Sequence, residues 1–477
     1  MTACGEAGPR TDQPAANGAS EAELPALETD GPEVIADANG TGIEVSQLLF
    51  DESDAVVIAS ESEEDQRRGA TLAVELGAPL LTRVAGAEAL VDKEVERLGA
   101  KDIHEVPSDD QKVTETEPVV DKQDSLAAAV AELEPGEEAT LQLPPFFATN
   151  ETSLAAVATA RAAGAEIQVL DVADPRLTSE SMQTVAEQDT LALGEQFGSS
   201  EEFADRVELA SNGELPGGGG LVFPGRRMVA LYGHPSGGAL GMLGEQSPED
   251  SVARLQGFID EYQPLEDQPV LPAFEIIATV ASEFPGDDGD FSNEATIEEL
   301  LPLVDAITEA GGYAFLDLQP GRANFLDQAK RYEELLKRPN VGLALDPEWN
   351  IGPNEMPMQR VGSAEAHEIN EVADWLAQLT RDNNLPQKGL ILHQFQLQML
   401  RDREQINTDH PELAFILHAD GHGVEKDKFA TWDVMRKDLS PDYFMAWKNF
   451  EDEDLPMFTP QETYEKVDPR PWFVSYQ

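Results

Sequence analysis

The chain has 477 residues, enough for two or three domains that each bury a hydrophobic core. Its 92 acidic and 32 basic side chains give a formal net charge of −60. This excess argues against a nucleic-acid-binding protein, because such binding depends on cations that displace counterions from phosphate groups. No apolar run is long enough to span a bilayer, and a single cysteine excludes an intrachain disulfide and a cysteine-based zinc site.

Residues 1–43 have the composition of a disordered acidic tether. Between Met1 and Thr41 the only basic residue is Arg10, so little apolar or paired surface is available for a core. The run Thr-Ala-Cys-Gly at its start resembles the end of a bacterial lipoprotein signal, whose cysteine carries the lipid. The resemblance implies a signal segment ahead of Met1, lipidation of Cys4 and an extracytoplasmic protein, held to the membrane by lipid or to the cell wall.

Residues 44–210 alternate short β-branched runs with alanine-rich amphipathic segments, a pattern typical of parallel α/β layers. The predicted strands are 56–59, 79–82, 102–106, 139–143, 166–170 and 190–193. The predicted helices are 65–76, 86–98, 151–163, 179–187 and 200–210. We therefore predict an N-terminal parallel α/β domain.

Three runs in this domain resemble the type-two cell-wall-binding repeat of clostridial and actinobacterial surface proteins. They are Asp-Ala-Val-Val-Ile-Ala-Ser (54–60), Leu-Gly-Ala-Pro-Leu-Leu-Thr (76–82) and Leu-Gly-Ala-Lys-Asp-Ile (98–103). The resemblance implies an α/β module that holds the protein to an anionic wall polymer. The alternative is an α/β domain that spaces or docks the domain that follows.

Residues 211–228 contain a run of glycines at 217–220 flanked by Pro216 and Pro224, which predicts a linker. The GxxxxGK[ST] pattern of a phosphate-binding loop is missing there. From 229 to 477, helical patterns separate eight strand candidates, which predicts a TIM-like (βα)8 barrel that ends on its eighth strand. The predicted strands are 229–233, 273–279, 313–318, 341–345, 389–392, 414–417, 443–446 and 472–476, and the predicted helices 297–310, 323–336, 364–381 and 428–437. An open doubly wound sheet is the alternative.

Polar and aromatic residues follow nearly every predicted barrel strand. Active sites of this fold lie at the C-terminal rim of the barrel, where the strand ends converge. We therefore predict a substrate-binding site there. Its predicted members are Tyr232, His234, Glu275, Asp317, Gln319, Trp349, His393, His418, Asp420, Trp447 and Lys448.

Asp346 and Glu348 end the fourth predicted strand, two residues apart. In an extended chain they would share a face, so that one carboxyl could stay protonated and act as a general acid. The run Val341–Trp349 resembles the last part of the DxxDxDxE strand of family-eighteen chitinases. This resemblance implies that Glu348 is the acid and that Asp346 is its partner.

Other interpretations of this segment stay open. Val341 and Ala344 stand where the chitinase motif has its two earlier aspartates. An ordinary glycosidase pair would instead use Glu451 or Glu275 as the second catalytic carboxylate. The Asp-Pro step also favours a turn.

Two runs, Pro224–Pro235 and Leu316–Arg322, resemble a family of actinobacterial envelope lipoproteins. We predict an exported, lipid-anchored envelope protein whose barrel rim binds, and in the enzymatic interpretation hydrolyses, an envelope glycan. Its predicted partners are a cell-wall polymer or glycan and, through the lipid anchor only, the membrane. No cofactor, metal or nucleic acid is predicted for it.

Two alternatives belong to other classes of function. The first is a non-catalytic envelope scaffold that uses the rim as a binding cleft. The second is a hydrolase in which a divalent metal activates water. Its ligands would come from His234, His393, His418, Asp420 and Asp317.

Overall fold

The computed structural model describes residues 24–106, 125–136 and 141–477. Cys4 and most of the predicted tether lie outside these residues. The described chain forms a closed barrel of eight parallel strands, preceded by a region with two small parallel sheets. None of the helices in the described ranges has the length and apolar character that a membrane span requires.

The described residues of the N-terminal region form seven strands and seven α-helices. The strands are β1 (Glu33–Ile35), β2 (Ala55–Ala59), β3 (Leu80–Thr82), β4 (Asp102–Val106), β5 (Phe146–Thr149), β6 (Ile167–Leu170) and β7 (Leu191–Leu193). The helices are α1 (Ile43–Leu49), α2 (Glu63–Leu76), α3 (Glu88–Leu98), α4 (Leu126–Ala131), α5 (Leu154–Ala162), α6 (Ser179–Glu187) and α7 (Ser200–Leu209). One sheet has the order β3–β2–β4 and the other β1–β7–β5–β6, and all pairings are parallel. The predicted parallel α/β architecture is confirmed.

Helix α5 packs against both sheets. Its sequence, Leu-Ala-Ala-Val-Ala-Thr-Ala-Arg-Ala, is almost entirely buried, since small side chains let neighbouring elements approach closely. Thr159 on this helix donates a hydrogen bond to the carbonyl oxygen of Leu80 and accepts one from its N–H, both at 3.0 Å. These bonds fasten α5 to the edge strand β3.

Two predicted boundaries in this region are wrong. Strand β5 begins at Phe146, whereas the sequence predicted a strand over 139–143, of which 139 and 140 lie outside the described residues. Pro144 and Pro145 explain the shift, because proline has no N–H to donate to a sheet. Strand β1 lies inside the predicted tether, where its Ile35 is buried against the second sheet.

The barrel is built from β8 to β18 and α8 to α14. The strands are β8 (Arg227–Gly233), β9 (Val270–Ala281), β10 (Ser292–Glu294), β11 (Tyr313–Leu318), β12 (Val341–Leu345), β13 (Ala364–Glu365), β14 (Lys388–His393), β15 (Leu400–Arg401), β16 (Leu413–Ala419), β17 (Phe444–Asn449) and β18 (Phe473–Tyr476). The helices are α8 (Pro248–Tyr262), α9 (Ile297–Glu309), α10 (Phe325–Arg331), α11 (Glu333–Leu336), α12 (Ala366–Asp382), α13 (Glu425–Arg436) and α14 (Pro460–Lys466).

Eight of these strands close the barrel in the order β8–β9–β11–β12–β14–β16–β17–β18, and β18 pairs with β8 in parallel. The three others are accessory: β10 pairs antiparallel with β9, and β13 pairs with β15. The predicted (βα)8 barrel is thus confirmed. The sequence prediction missed α8 and α14, and the predicted helix over 323–336 is divided into α10 and α11.

Alternate residues of the barrel strands belong to two separate cores. One core lies between the strands and the helices, and the other lies inside the barrel, as the period of two along a strand requires. The strand residues of the inner core are Met228, Ala230, Ala273, Tyr313, Phe315, Ala344, Ile391, Ala414, Ile416, Ala446 and Phe473.

The segment predicted as a linker, 211–228, is part of this inner core. Val222 and Phe223 are buried in it, and the Phe223 ring lies 5.4 Å from the ring of Phe444. The N–H of Val222 donates to the side-chain oxygen of Gln387 at 2.9 Å. Apolar residues stand between the glycines and prolines of this segment and pack into the barrel. The glycine-rich segment therefore closes the N-terminal end of the barrel.

Polar contacts join the N-terminal region to the barrel. Arg381 on α12 donates to both carboxylate oxygens of Asp205 on α7, at 2.7 and 3.0 Å, and it also pairs with Glu412 at 2.5 Å. Arg176 donates to the carbonyl oxygen of Pro411 at 2.7 Å. Such a two-pronged arginine contact fixes orientation as well as distance.

Gly389 makes room for the largest side chains of the inner core. A Cβ at this position would lie 2.5 Å from Cε1 of Phe315, a buried ring that also packs against Tyr313 and Phe473. We expect Gly389→Ala to lower the free energy of unfolding by about 1–3 kcal/mol, because the crowded ring must move. Chemical denaturation measures this change.

The matched control is Gly257→Ala on α8, where an added Cβ would meet no neighbouring atom. Alanine is the better helix former, so this variant should be as stable as the wild type or about 1 kcal/mol more stable. Equal denaturation midpoints for Gly389→Ala and the wild type would contradict the predicted crowding.

Candidate active site

A polar layer fills the barrel at the C-terminal ends of its strands. Each of its side chains lies two residues after an apolar member of the inner core, so it occupies the next inward position of the same strand or its end. The layer consists of Tyr232, Glu275, Asp317, Asp346, His393, His418, Lys448 and Ser475, all buried. The inner core thus changes from apolar to polar along all eight strands at once.

His393 lies at the centre of this layer between two carboxylates. Its Nε2 is 2.7 Å from Oε1 of Glu275, and its Nδ1 is 2.9 Å from Oδ2 of Asp420. Burial by itself would lower the pKa of His393, but Glu275, Asp420 and Asp317 together hold that pKa well above its ordinary value. In return, burial would raise the pKa of Glu275, yet His418 and His393 hold it below its ordinary value.

His418 lies beside His393, with 4.8 Å between the ring centres. Its Nδ1 is 3.6 Å from Oε1 of Glu275, and its Nε2 is 3.1 Å from the hydroxyl of Ser475. Burial lowers the pKa of His418, and the cation of Lys448 adds to this effect. The two histidines therefore differ in charge at neutral pH although they share one carboxylate.

Tyr232 connects the other side of the layer. Its hydroxyl donates to Oδ2 of Asp317 at 2.8 Å, and Nε2 of Gln319 lies 3.4 Å from the same hydroxyl. The ammonium of Lys448 lies over the Tyr232 ring, 3.6 Å from its centre, a cation–π contact. Burial, with a further contribution from Glu275, raises the pKa of Asp317 to about 6.

A pocket of about 420 Å³ opens above this layer. Three members of the layer also line the pocket: Tyr232, Asp346 and Lys448. Asp420, which contacts the layer through His393, and Glu348 line it as well. Aromatic side chains complete the wall, among them the half-buried Trp349 and Phe395 and the buried Phe450. This volume is in the range of sites for small ligands.

Asp346 and Glu348 do not share the face of an extended strand, as the sequence predicted. Residues Pro347–Trp349 form one turn of 3₁₀ helix, and Oδ1 of Asp346 accepts a hydrogen bond from the Glu348 N–H at 3.1 Å. The Asp-Pro step thus forms the turn that it favours. Both residues line the pocket, but Asp346 is buried in the polar layer, whereas Glu348 is only half-buried.

The carboxyl groups at the pocket have different protonation states. Burial, with a further contribution from Asp420, raises the pKa of Glu348 to about 7. Burial and the neighbouring Asp317 and Glu348 raise the pKa of Asp346 well above its ordinary value, although His393 opposes this. For Asp420, burial is outweighed by His393 and Lys448, so that its pKa is lowered. At neutral pH the pocket therefore holds an ionised Asp420 and a Glu348 that is about half protonated.

Three predicted site residues lie elsewhere. Trp447 faces the outer core, where its ring stacks on that of Phe458 with 5.9 Å between the ring centres. It directly precedes the inward-facing Lys448 on β17, and successive residues of a strand point to opposite faces. Glu451 is more than half exposed and pairs with Arg254 at 3.1 Å, outside the pocket. His234 binds the hydroxyl of Ser236 at 2.8 Å and is also outside the pocket.

All the other predicted site residues lie in the polar layer or line the pocket. They are Tyr232, Glu275, Asp317, Gln319, Asp346, Glu348, Trp349, His393, His418, Asp420 and Lys448. Sequence reasoning missed Ser475, which follows the inner-core Phe473 by two residues. The same period of two that placed the other strands would have identified it. Phe395 and Phe450 carried no comparable signal, because they lie in loops beyond the strand ends.

Comparison with known proteins adds no assignment: no family model matches the chain, and no curated protein is similar to it at a significant level. The resemblances to the wall-binding repeat, the chitinase strand and the envelope lipoproteins therefore stay predictions.

The raised pKa of Glu348 is directly measurable. Its carboxyl should be protonated below pH 7 and lose the proton with a midpoint near that pH, well above the pKa of an ordinary glutamate. Infrared difference spectra between pH 5.5 and 8.5 should show a carboxylic C=O signal that shrinks in Glu348→Gln to the part due to Asp317, whose pKa of about 6 lies in the same range. The control Glu309→Gln, at the exposed end of α9, should keep the band. An unchanged band in Glu348→Gln would contradict this assignment.

Proposed function

We propose that this chain is an envelope hydrolase whose barrel pocket binds a glycan and cleaves it with Glu348 as the proton donor. The observation that carries the proposal is the position of Glu348: its carboxyl stays partly protonated at neutral pH and lines a pocket at the C-terminal rim of the barrel. Active sites of this fold lie on that rim. A general acid is most effective when its pKa is close to the working pH.

The pocket also holds the second carboxyl that glycoside hydrolysis requires. Most such enzymes use one protonated carboxyl, which gives a proton to the glycosidic oxygen, and one ionised carboxylate. Asp420 lines the same pocket, and His393 and Lys448 keep it ionised. Two carboxyls whose surroundings push their pKa values apart are the arrangement that divides the acid and base roles. We assign the acid role to Glu348 and the charge-stabilising or base role to Asp420.

The pocket wall suits a sugar. Sugars present flat apolar faces edged with hydroxyl groups, and aromatic rings pack against such faces. Trp349 and Phe395 supply partly exposed rings, and Gln319 and Lys448 supply polar atoms beside them. The five side chains Gln319, Lys448, Asp346, Glu348 and Asp420 offer both donors and acceptors to sugar hydroxyls.

We extend the proposal to the location of the protein. Cys4 in the run Thr-Ala-Cys-Gly would carry a lipid that holds the chain to the membrane, and the acidic segment behind it would act as a tether. The N-terminal sheets would contact or space the cell-wall polymer. A protein at this place would meet envelope glycans as substrates.

Product release from defined glycans tests the hydrolase. The full chain should release fragments from at least one of peptidoglycan, chitin oligomers or arabinogalactan, as read by mass spectrometry. Glu348→Gln should lower the rate by about 100- to 10,000-fold, because the leaving oxygen then receives no proton. Glu309→Gln should keep the wild-type rate, since this exposed side chain is at the end of α9.

Two outcomes would count against the proposal. Products that persist in Glu348→Gln would show that the acid is another residue. Glycan binding without any product, from the wild type and from Glu348→Gln alike, would instead identify a non-catalytic envelope protein.

If Glu348 is the acid, the rate of glycan hydrolysis should fall as the pH rises. The acid must carry its proton, so the rate should fall about tenfold for each pH unit above 7. A pH profile of the single-turnover rate measures this limb. A rate that stays constant between pH 7 and 9 would exclude Glu348 as the acid.

A further inference from the structure

Four buried side-chain atoms converge beneath the floor of the pocket. They are Oε1 of Glu275, Nε2 of His393, Nδ1 of His418 and Oδ1 of Asp317, and all four residues are fully buried. None of these atoms has a hydrogen-bond partner among the described residues. Buried polar atoms nearly always have a partner, so a group of four without one requires a physical explanation.

The closest contact in this group is not a hydrogen bond. Nε2 of His393 and Oε1 of Glu275 are 2.7 Å apart, but an N–H on this nitrogen would not point at the oxygen. Nδ1 of His418 lies close to them as well, 3.6 Å from the same oxygen. These three ligand atoms all lie within 4.8 Å of one another.

The outer nitrogen of each histidine has its own partner. Nδ1 of His393 is 2.9 Å from Oδ2 of Asp420, and Nε2 of His418 is 3.1 Å from the hydroxyl of Ser475. A ring nitrogen that donates its proton outwards leaves a lone pair on the inner nitrogen. This is the arrangement by which metal-binding histidines are oriented, with a carboxylate or hydroxyl behind each ring.

We infer that Glu275, His393 and His418 bind one divalent transition-metal ion, with Asp317 beside them as a fourth ligand. Bonds of 2.0–2.1 Å in a tetrahedral site place neighbouring ligand atoms about 3.3 Å apart. The distances of 2.7 and 3.6 Å lie on either side of this value. Oδ1 of Asp317 is 3.8 Å from Nε2 of His393 but is not part of the group of three, so it would have to move closer to become a ligand. Neither this inference nor its test depends on the proposed glycosidase.

Charge balance favours a cation at this point. The carboxylates of Glu275 and Asp317 are buried and that of Asp420 is nearly so, and Lys448 supplies a single ammonium near them. Uncompensated charge in a dry interior is costly. A divalent cation would take the place of the proton that otherwise charges His393: with both imidazoles neutral, the three carboxylates and one ammonium leave two negative charges for the ion to neutralise.

The ligand types indicate which metal. Two imidazole nitrogens with one or two carboxylates suit zinc, iron, nickel or cobalt, whereas magnesium and calcium prefer oxygen ligands alone. Glu275, His393 and His418 do not line the pocket, so the ion would lie below its floor. There it would fix the two rings and, through His393, the position of Asp420.

Metal analysis and cobalt spectroscopy test the site on the full chain. Protein purified without chelator should contain close to one equivalent of metal. After chelator treatment, one equivalent of Co²⁺ should bind and give absorption bands at 500–650 nm, typical of a low-coordinate cobalt site with nitrogen ligands. His393→Gln and His418→Gln should each lose these bands, and His367→Gln, an exposed histidine on α12, should keep them.

Asp420→Asn provides a variant that keeps all the ligands. It should bind Co²⁺ or Zn²⁺ about 10- to 100-fold more weakly, as expected when the group that orients a histidine is changed. Near-UV circular dichroism of each variant verifies the fold, and Glu275→Gln repeats the test with a nearly identical side-chain shape.

Three results would overturn the inference. The first is folded wild-type protein that holds less than a tenth of an equivalent of metal and takes up no Co²⁺ or Zn²⁺ at 100 µM. The second is unchanged cobalt bands in His393→Gln and His418→Gln. The third is loss of the bands in His367→Gln, which would place the ion elsewhere. The first result would leave a charged His393 between Glu275 and Asp420 as the account of the cluster.

Discussion

The contact of His393 with Glu275 on one side and Asp420 on the other is the constraint on which the site depends. Glu275 and His393 lie in the dry interior of the barrel and Asp420 lies at its edge, in the pocket wall; in such an interior a charge is stable only if it is paired or coordinated. His393 holds the pKa of Asp420 down, and Asp420 in turn contributes to the raised pKa of Glu348 in the pocket above. The protonation pattern that suits acid catalysis therefore originates with His393, which lies below the pocket and does not line it.

The position of this network follows from the alternation of inward-facing and outward-facing residues along the barrel strands. The inner core below it is apolar, and the polar layer begins one inward position further along each of the eight strands. Lys428 on α13 supports the layer from outside, because its ammonium donates to the carbonyl oxygen of Lys448 at 2.7 Å and pairs with Asp454. Removing one member of such a buried network leaves its partner uncompensated, which costs more than the contact itself contributes.

Sequence reasoning succeeded where one strand or helix decides the outcome. The parallel sheets and the closed barrel followed from hydrophobic period and length, as did the strand-end positions of Glu275, Asp317, His393 and His418. The sequence predictions failed for residues whose position depends on which face of a strand they occupy, or on packing against a distant segment of the chain. Trp447 was assigned to the rim although it is one residue out of step with Lys448, and the glycine-rich segment around Phe223 was assigned to a linker although it closes the barrel.

The sequence by itself determined the fold class, the end of the barrel that carries polar groups and most residues of the site, because the period of two and the strand order are local properties. Only the tertiary structure decided which groups touch. That His393 meets both Glu275 and Asp420, that Ser475 lies behind His418 and that Glu348 faces the pocket while Asp346 is buried all depend on barrel closure and on one 3₁₀ turn. Contacts between strands far apart in sequence arise from closure, and no single segment encodes them.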